Sequence, residues 1–233
     1  TYTITGGKAT ITGMYFAKGH ILVPSFLDGC QVVAISAKVG SGCDDILSLR
    51  IPDSVKSIGA GAFANCTSLG DVVIGNGVLT IAGIDNTSNY IQDYAAFGYC
   101  TSLTNVTFGS SLKEIGGYAF YGCTSLSRVS IPDSVTTIKH RAFYNCVRMS
   151  SVTLGSSLAS IGNYAFAECR GLKNLVFSDD ATVDLLLNEG AFSGCIWLTA
   201  VNLPANIKSV GAYAFRYCSS LKSVVLGNGL TSV

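Results

Sequence analysis

Residues 118–138 read YAFYGCTSLSRVSIPDSVTTI, and residues 141–161 read RAFYNCVRMSSVTLGSSLASI, the same residue types in the same places 23 positions later. The apolar character of the first copy lies at Phe120, Cys123, Leu126, Val129 and Ile131. These spacings fit neither the 3.6-residue period of an amphipathic helix nor the alternation of a simple strand. They fit a chain that turns corners within each unit and points one side chain inward at each stage of the circuit.

The register extends through the chain. Ala-Phe pairs place phenylalanines at Phe63, Phe97, Phe120, Phe143, Phe166, Phe192 and Phe215, separated by 34, 23, 23, 23, 26 and 23 residues, so two units carry insertions. Three residues after each stands a cysteine: Cys66, Cys100, Cys123, Cys146, Cys169, Cys195 and Cys218. An L-x-x-V-x-I segment follows, with Met149 and Leu175 as substitutes and with Phe108 and Phe177 in the last place. Val and Ile two apart, bounded by Gly, Pro or Ser, predict a short strand ended by a turn. The A-F-x-x-C segment predicts a single helical turn on the opposite side. A period near 23 with L-x-x-V-x-I at its centre lies in the leucine-rich-repeat range, in which no unit buries its apolar side alone and neighbours stack into a solenoid. The expected fold is therefore a solenoid of about eight coils with short parallel strands. An N-terminal β-rich lead-in and cap is expected over residues 1–39 and the solenoid over 40–233. Cys43, Ile46, Leu49 and Ile51 keep the phase with Gly40 in place of Phe, which reads as a degenerate first coil. Val233 is in phase with Val210 without a further Ala-Phe pair, which predicts an array cut mid-repeat.

Composition excludes several classes. Charged residues are 12% of the chain, about half the usual share, and there are 26 glycines. The net charge of +1 comes from scattered basic residues, with none of the clustering that marks nucleic-acid binders. No uncharged apolar run approaches the roughly 18 residues of a membrane span. Nine cysteines are an odd number, and eight share one repeat position, so a buried free thiol explains them better than disulfides. Stacked coils about 4.8 Å apart are also wider than the usual disulfide Cβ spacing of about 3.8 Å. Cys30 alone lies outside this set. No C-x-x-C pair occurs and His20 and His140 are the only histidines, so neither a metal nor another cofactor is expected. Asp44-Asp45 and Asp179-Asp180 lack an Asp-x-Asp-x-Asp-Gly loop and read as solvated turns. G-x-S-x-G is missing and no catalytic residue is assigned. Asn65, Asn86 and Asn105 match the N-x-S/T acceptor pattern, with only Asn86, in the long insertion, expected in the open.

What remains is display. Outward-facing positions beside the inward Val of each strand include Arg50, Asp71, Asn105, Arg128, Asn174 and Asn202, expected on a concave face. Their plainer alternative is solvated cover of a sheet. A second set, Tyr99, Tyr118, Tyr121, Tyr144, Tyr164, Tyr213 and Tyr217, flanks the Ala-Phe turn. Tyr joins apolar area to a polar tip and is enriched at interfaces, although some of these rings could serve only to cover the core edge. The insertion around residues 82–94 is a further candidate, since insertions map to loops on one side of a solenoid.

SIPDSVTTI, LKEIGGYAFYGCTSL and RIPDSVKSIGAGAFANCTSL resemble the BspA-like leucine-rich repeats over residues 30–233, and YTITGGKATITGMYF with ILVPSFLDGCQVVAIS is similar to the lead-in of such arrays. The resemblance implies a non-enzymatic adhesion module, at the cell surface or secreted, that recognises a protein or glycan on a host or neighbouring cell. A structural spacer carrying another domain is the second expectation.

Overall fold

A computed structural model describes residues 1–15, 17–84 and 94–232. Most of the long insertion, with Asn86, lies outside the described residues. The chain winds into a β-solenoid of about nine turns. That is one more than the phenylalanine register predicts, because the lead-in also winds into the stack.

Two strands form in each coil, on different sides. The expected L-x-x-V-x-I strands are β6 (Ile46–Ile51), β8 (Asp71–Ile74), β10 (Asn105–Thr107), β12 (Arg128–Ser130), β14 (Ser151–Thr153), β16 (Asn174–Val176), β18 (Ala200–Leu203) and β20 (Ser223–Leu226), and β3 (Gly19–Leu22) of the lead-in pairs with β6 ahead of them. Between them run β5 (Cys30–Ile35), β7 (Ser57–Ile58), β9 (Thr80–Ile81), β11 (Glu114–Ile115), β13 (Thr137–Ile138), β15 (Ser160–Ile161), β17 (Leu185–Leu187) and β19 (Ile207–Val210). Only two residues long in most coils, these form one continuous parallel ladder that β2 (Lys8–Ile11) starts. β1 (Tyr2–Thr5) closes its N-terminal edge by antiparallel pairing with β2, which covers backbone groups that would otherwise lie open. β4 (Phe26–Leu27) pairs antiparallel with β5.

The corner around Ala-Phe is not helical, and no helix forms among the described residues. In the coil of Phe120, the amides of Ala119, Tyr121 and Cys123 bond back three residues to Gly116, Tyr118 and Phe120. The amides of Tyr118, Phe120 and Gly122 instead donate to His140, Ala142 and Tyr144 of the next coil. A helix would direct all of them along its own axis. Alternation requires the backbone to reverse twice, and in the coils other than that of Phe97, where only Tyr99 does so, the residues two before and two after the Phe have positive φ, as at Tyr118 (61°) and Gly122 (68°). The same pair brackets Gly40 at Lys38 (57°) and Gly42 (71°), so this coil keeps the corner conformation without a Phe. A Cβ on Gly40 would stand 3.1 Å from the ring of Phe63, so glycine there lets the first ring lie flat against the cap.

Inside, each position of the repeat is a column. The seven phenylalanine rings stack 5.1 to 5.6 Å apart and within 14° of parallel. Each ladder thiol donates to a carbonyl of the preceding coil: Cys100 to Phe63, Cys123 to Phe97, Cys146 to Phe120 and Cys169 to Phe143, at 3.1 to 3.3 Å. Leu49, Val72 and Val106 align in one set of strands and Val129, Val152 and Leu175 in the next. Turns after the strands are tied similarly: the Asn76 amide donates to Asp53, the Ser110 amide to Asn76, and the Ser156 amide to Asp133.

All nine cysteines are free, and seven are buried. Burial pushes the Cys123 thiol up to about 12 and the Cys218 thiol to about 11. A thiol whose folded value is raised keeps its proton while the unfolded chain loses its own. Its stabilising contribution is therefore intact below the ordinary value of about 9 and drains away as pH rises toward the folded value. Denaturant midpoints measured between about pH 8 and pH 11 should fall, with a limiting slope of about 1.4 kcal/mol per pH unit for each fully protected thiol. A flat profile would mean that the cysteines are open to solvent.

Candidate functional site

The tyrosines do not form one exposed patch. Tyr118 is wholly buried, which corrects its expected place on a display surface. Its ring lies edge-on to His140 at 4.9 Å, and its hydroxyl accepts a 2.6 Å hydrogen bond from Arg141. Tyr99, Tyr121 and Tyr144 are half-buried and pile on one another at 5.2 and 5.1 Å, the last pair within 6° of parallel, so their faces are spent inside the column. Arg141 lies near the rings of Tyr118, Tyr144 and Tyr164. The Tyr164 hydroxyl donates to Glu189, which raises its pKa, and burial raises those of Tyr121 and Tyr144. These hydroxyls stay protonated. Only Tyr213 and Tyr217 stand well exposed, at 57% and 63%, with the Arg216 guanidinium 5.0 and 4.5 Å from their rings.

Five of the seven, Tyr99, Tyr118, Tyr164, Tyr213 and Tyr217, have positive φ. Glycine fills corresponding places at Gly61, Gly122, Gly190 and Gly194. A bulky side chain is disfavoured there by about 1 to 2 kcal/mol, so each Tyr must recover that through its ring. Buried Tyr118 does so by packing. At Tyr217 the ring keeps little beyond the cation–π contact with Arg216.

The strand face is built differently. Arg50, Asn105, Arg128, Asn174 and Asn202 are exposed, and half-buried Asp71 accepts a 2.7 Å hydrogen bond from Asn105. Neither Arg50 nor Arg128 has a hydrogen-bond, ion-pair or ring partner among the described residues. Unlike the opposite ladder, the strands of this face divide into β3-β6-β8-β10, β12-β14-β16 and β18-β20. Both breaks fall just after a strand whose last inward position is Phe: Phe108 after β10 and Phe177 after β16. Other coils place Ile or Leu there. The Phe108 ring packs edge-on against Phe120 of the next coil at 5.7 Å, a wedge of extra bulk at the point where ladder pairing between β10 and β12 stops, while the Ser127 amide still donates to Thr104 at 3.3 Å. No insertion separates those two strands, whereas the three-residue insertion near Asp179 to Leu186 falls at the second break.

Clefts lie along this face. One of about 640 Å³ runs from Leu22, Phe26 and Gln31 past Arg50 and Ile74 to Thr107 and Phe108. A second, about 470 Å³, shares Thr107 and Phe108 and extends over Arg128, Ser130, Ser151 and Thr153. A third, about 300 Å³, lies between Phe177, Asp179, Asn202 and Pro204. Sequence reasoning placed Arg50, Asn105, Arg128 and Asn202 on this face, but missed Phe26, Gln31, Phe108 and Phe177. The available signal was the substitution of Phe for Ile in two coils.

The remaining candidates are structural. Asp44 accepts from the amide and hydroxyl of Thr67, and Asp45 pairs with Lys18 at 3.1 Å. Among the described residues no group of three or more His, Cys, Asp and Glu side chains could hold a metal ion, and no helix is long and apolar enough to cross a membrane.

A parallel two-ladder solenoid with one Phe and one Cys column per turn defines a leucine-rich-repeat protein. Residues 33–84, 89–222 and 186–233 match the BspA type leucine rich repeat region, in six copies, and the chain belongs to that family. A leucine-rich-repeat protein of T. pallidum is 31% identical with a TM-score of 0.74, covering 85% of this chain and 87% of its own. A leucine-rich cell surface protein of Faecalibacterium prausnitzii shares the fold at 23% identity and a TM-score of 0.54, covering 98% of this chain and 75% of its own. No curated protein sequence matches this chain.

The two kinds of left-handed tyrosine should respond oppositely to glycine. Tyr217→Gly relieves backbone strain at little packing cost and is expected to leave thermal stability unchanged or raise it by a few degrees. Tyr118→Gly empties a buried site and is expected to lower stability by about 3 to 5 kcal/mol. Thermal melting of both variants checks this, and equal effects would contradict the division.

Proposed function

We propose that this chain is a non-enzymatic binding module, displayed at the cell surface or secreted, that engages a protein of a host or neighbouring cell through its strand face. The observation that supports this most is the pair of unpartnered guanidiniums, Arg50 on β6 and Arg128 on β12, lining two clefts that meet at Thr107 and Phe108. Desolvating a charge is costly without a partner, and an exposed Arg with no internal partner is ready to form bidentate bonds to one supplied from outside. Most tyrosines, by contrast, already have partners inside the corner. Family membership supports the surface location and the adhesive role.

The test compares adhesion to host cells or matrix by three folded proteins: the parent, Arg50→Ala with Arg128→Ala, and Tyr121→Ala with Tyr144→Ala. Loss of about tenfold or more in the arginine variant, with the tyrosine variant close to the parent, is the expected result. The reverse order would move the site to the corner. Equal binding by all three would favour a spacer that holds another domain away from the cell.

A further inference from the structure

Resting on that reading, we infer that the two clefts that meet at Phe108 receive an extended acidic peptide segment of the partner protein, with an apolar side chain anchored on Phe108 and carboxylates on Arg50 and Arg128.

Three observations converge on this chemistry. First, the second cleft is cationic in its own lining. Arg128 lines the second cleft with hydroxyl and amide groups and without a carboxylate. In the first cleft Arg50 is accompanied by Asp53, whose carboxylate accepts the Asn76 amide at 2.6 Å. Small hydroxyls and two free guanidiniums fit carboxylates, since Arg presents a planar fork that binds both oxygens. Second, the first cleft has apolar walls. Leu22 and Phe26 are 69% and 60% exposed, Ile51 and Ile74 form its base, and half-buried Phe108 marks its junction with the second cleft. An aliphatic or aromatic side chain fills such a space, whereas an anionic sugar polymer satisfies the cations and leaves the apolar walls wet. Third, β10 and β12 face each other without ladder pairing, so the cleft borders two strand edges. Edge amides and carbonyls are the groups to which an extended peptide binds by its main chain.

Geometry adds a register. Phe177 repeats the wedge 69 residues after Phe108, three coils along the stack. At about 4.8 Å per coil this is about 14 Å, which an extended peptide crosses in about four residues. Asp179 lines that second opening, so its charge is opposite to that of the Phe108 region. A peptide running along the stack would thus carry acidic and apolar residues at one end and a basic residue about four positions on, which fixes its direction.

A phage-displayed random dodecapeptide pool, selected on the parent protein and separately on Arg50→Glu with Arg128→Glu, tests this directly. The parent is expected to enrich peptides holding at least one acidic residue next to a bulky apolar one. Their binding, measured with the synthetic peptides, should weaken about tenfold or more in the charge-reversed protein and as salt rises. The charge-reversed protein should enrich basic peptides instead. Phe108→Ile, which keeps both arginines, should also lose about tenfold. Circular dichroism melting establishes that both variants remain folded, and the exposed arginine exchange serves if Phe108→Ile is unstable. Enrichment without acidic residues, or indifference to charge reversal, overturns the inference. So does arginine-dependent binding of a sulfated or uronic oligosaccharide with no peptide enriched. If adhesion depends on Arg50 and Arg128 while peptide selection fails, the strand-face reading survives and the acidic-peptide inference alone falls.

Discussion

The structure depends on a column of seven phenylalanine rings, one from each coil after the Gly40 coil, each stacked on its neighbour. A single coil encloses too little apolar surface to offset the conformational entropy of ordering it. Stacking turns each Phe from an edge into an interior residue. It also sets the distance at which the neighbouring amides reach the next coil, as the Phe120 amide reaches Ala142. The invariance of Ala before each Phe follows from the same packing. Its carbonyl accepts the preceding coil's Phe amide while its side chain is buried against neighbours. Cysteine suits the adjoining column because it is small, apolar and still able to donate one hydrogen bond to a carbonyl at the turn.

Much of this was legible in the sequence because repetition averages out local ambiguity. Phe, Cys, Leu and Val recur in one phase, and their burial and the L-x-x-V-x-I strands follow from that phase alone. The second ladder was not legible, since a two-residue strand such as Thr137–Ile138 has no pattern of its own and exists only through pairing with Glu114–Ile115 and Ser160–Ile161. Nor was the corner. Ala-Phe-x-x-Cys has helical spacing, and only the recurrence of Gly and Asn at Gly61, Asn65, Gly122 and Asn145 hinted at left-handed backbone. Tyr in the same places hid that hint, and made a partly internal column look like a display surface.

Function lies in the departures from the repeat. Pairing continues after strands that end in Ile or Leu and stops after the two whose last inward residue is Phe. Two phenylalanines out of register with the core column, Phe108 and Phe177, thereby convert a uniform strand face into one with clefts at defined coils. Arg50 and Arg128 were identifiable as outward-facing, but their significance comes from the opening between them, which depends on the volume of a residue that neither touches in sequence.

Amide hydrogen exchange on the parent and on Phe108→Ile addresses the wedge itself. With Ile in place, β10 and β12 should pair, and amides in residues 105–107 and 128–130 should exchange at least tenfold more slowly while those of β6 and β8 stay unchanged. Equal exchange in the two proteins across β10 and β12 would contradict the wedge, and with it the origin of the cleft.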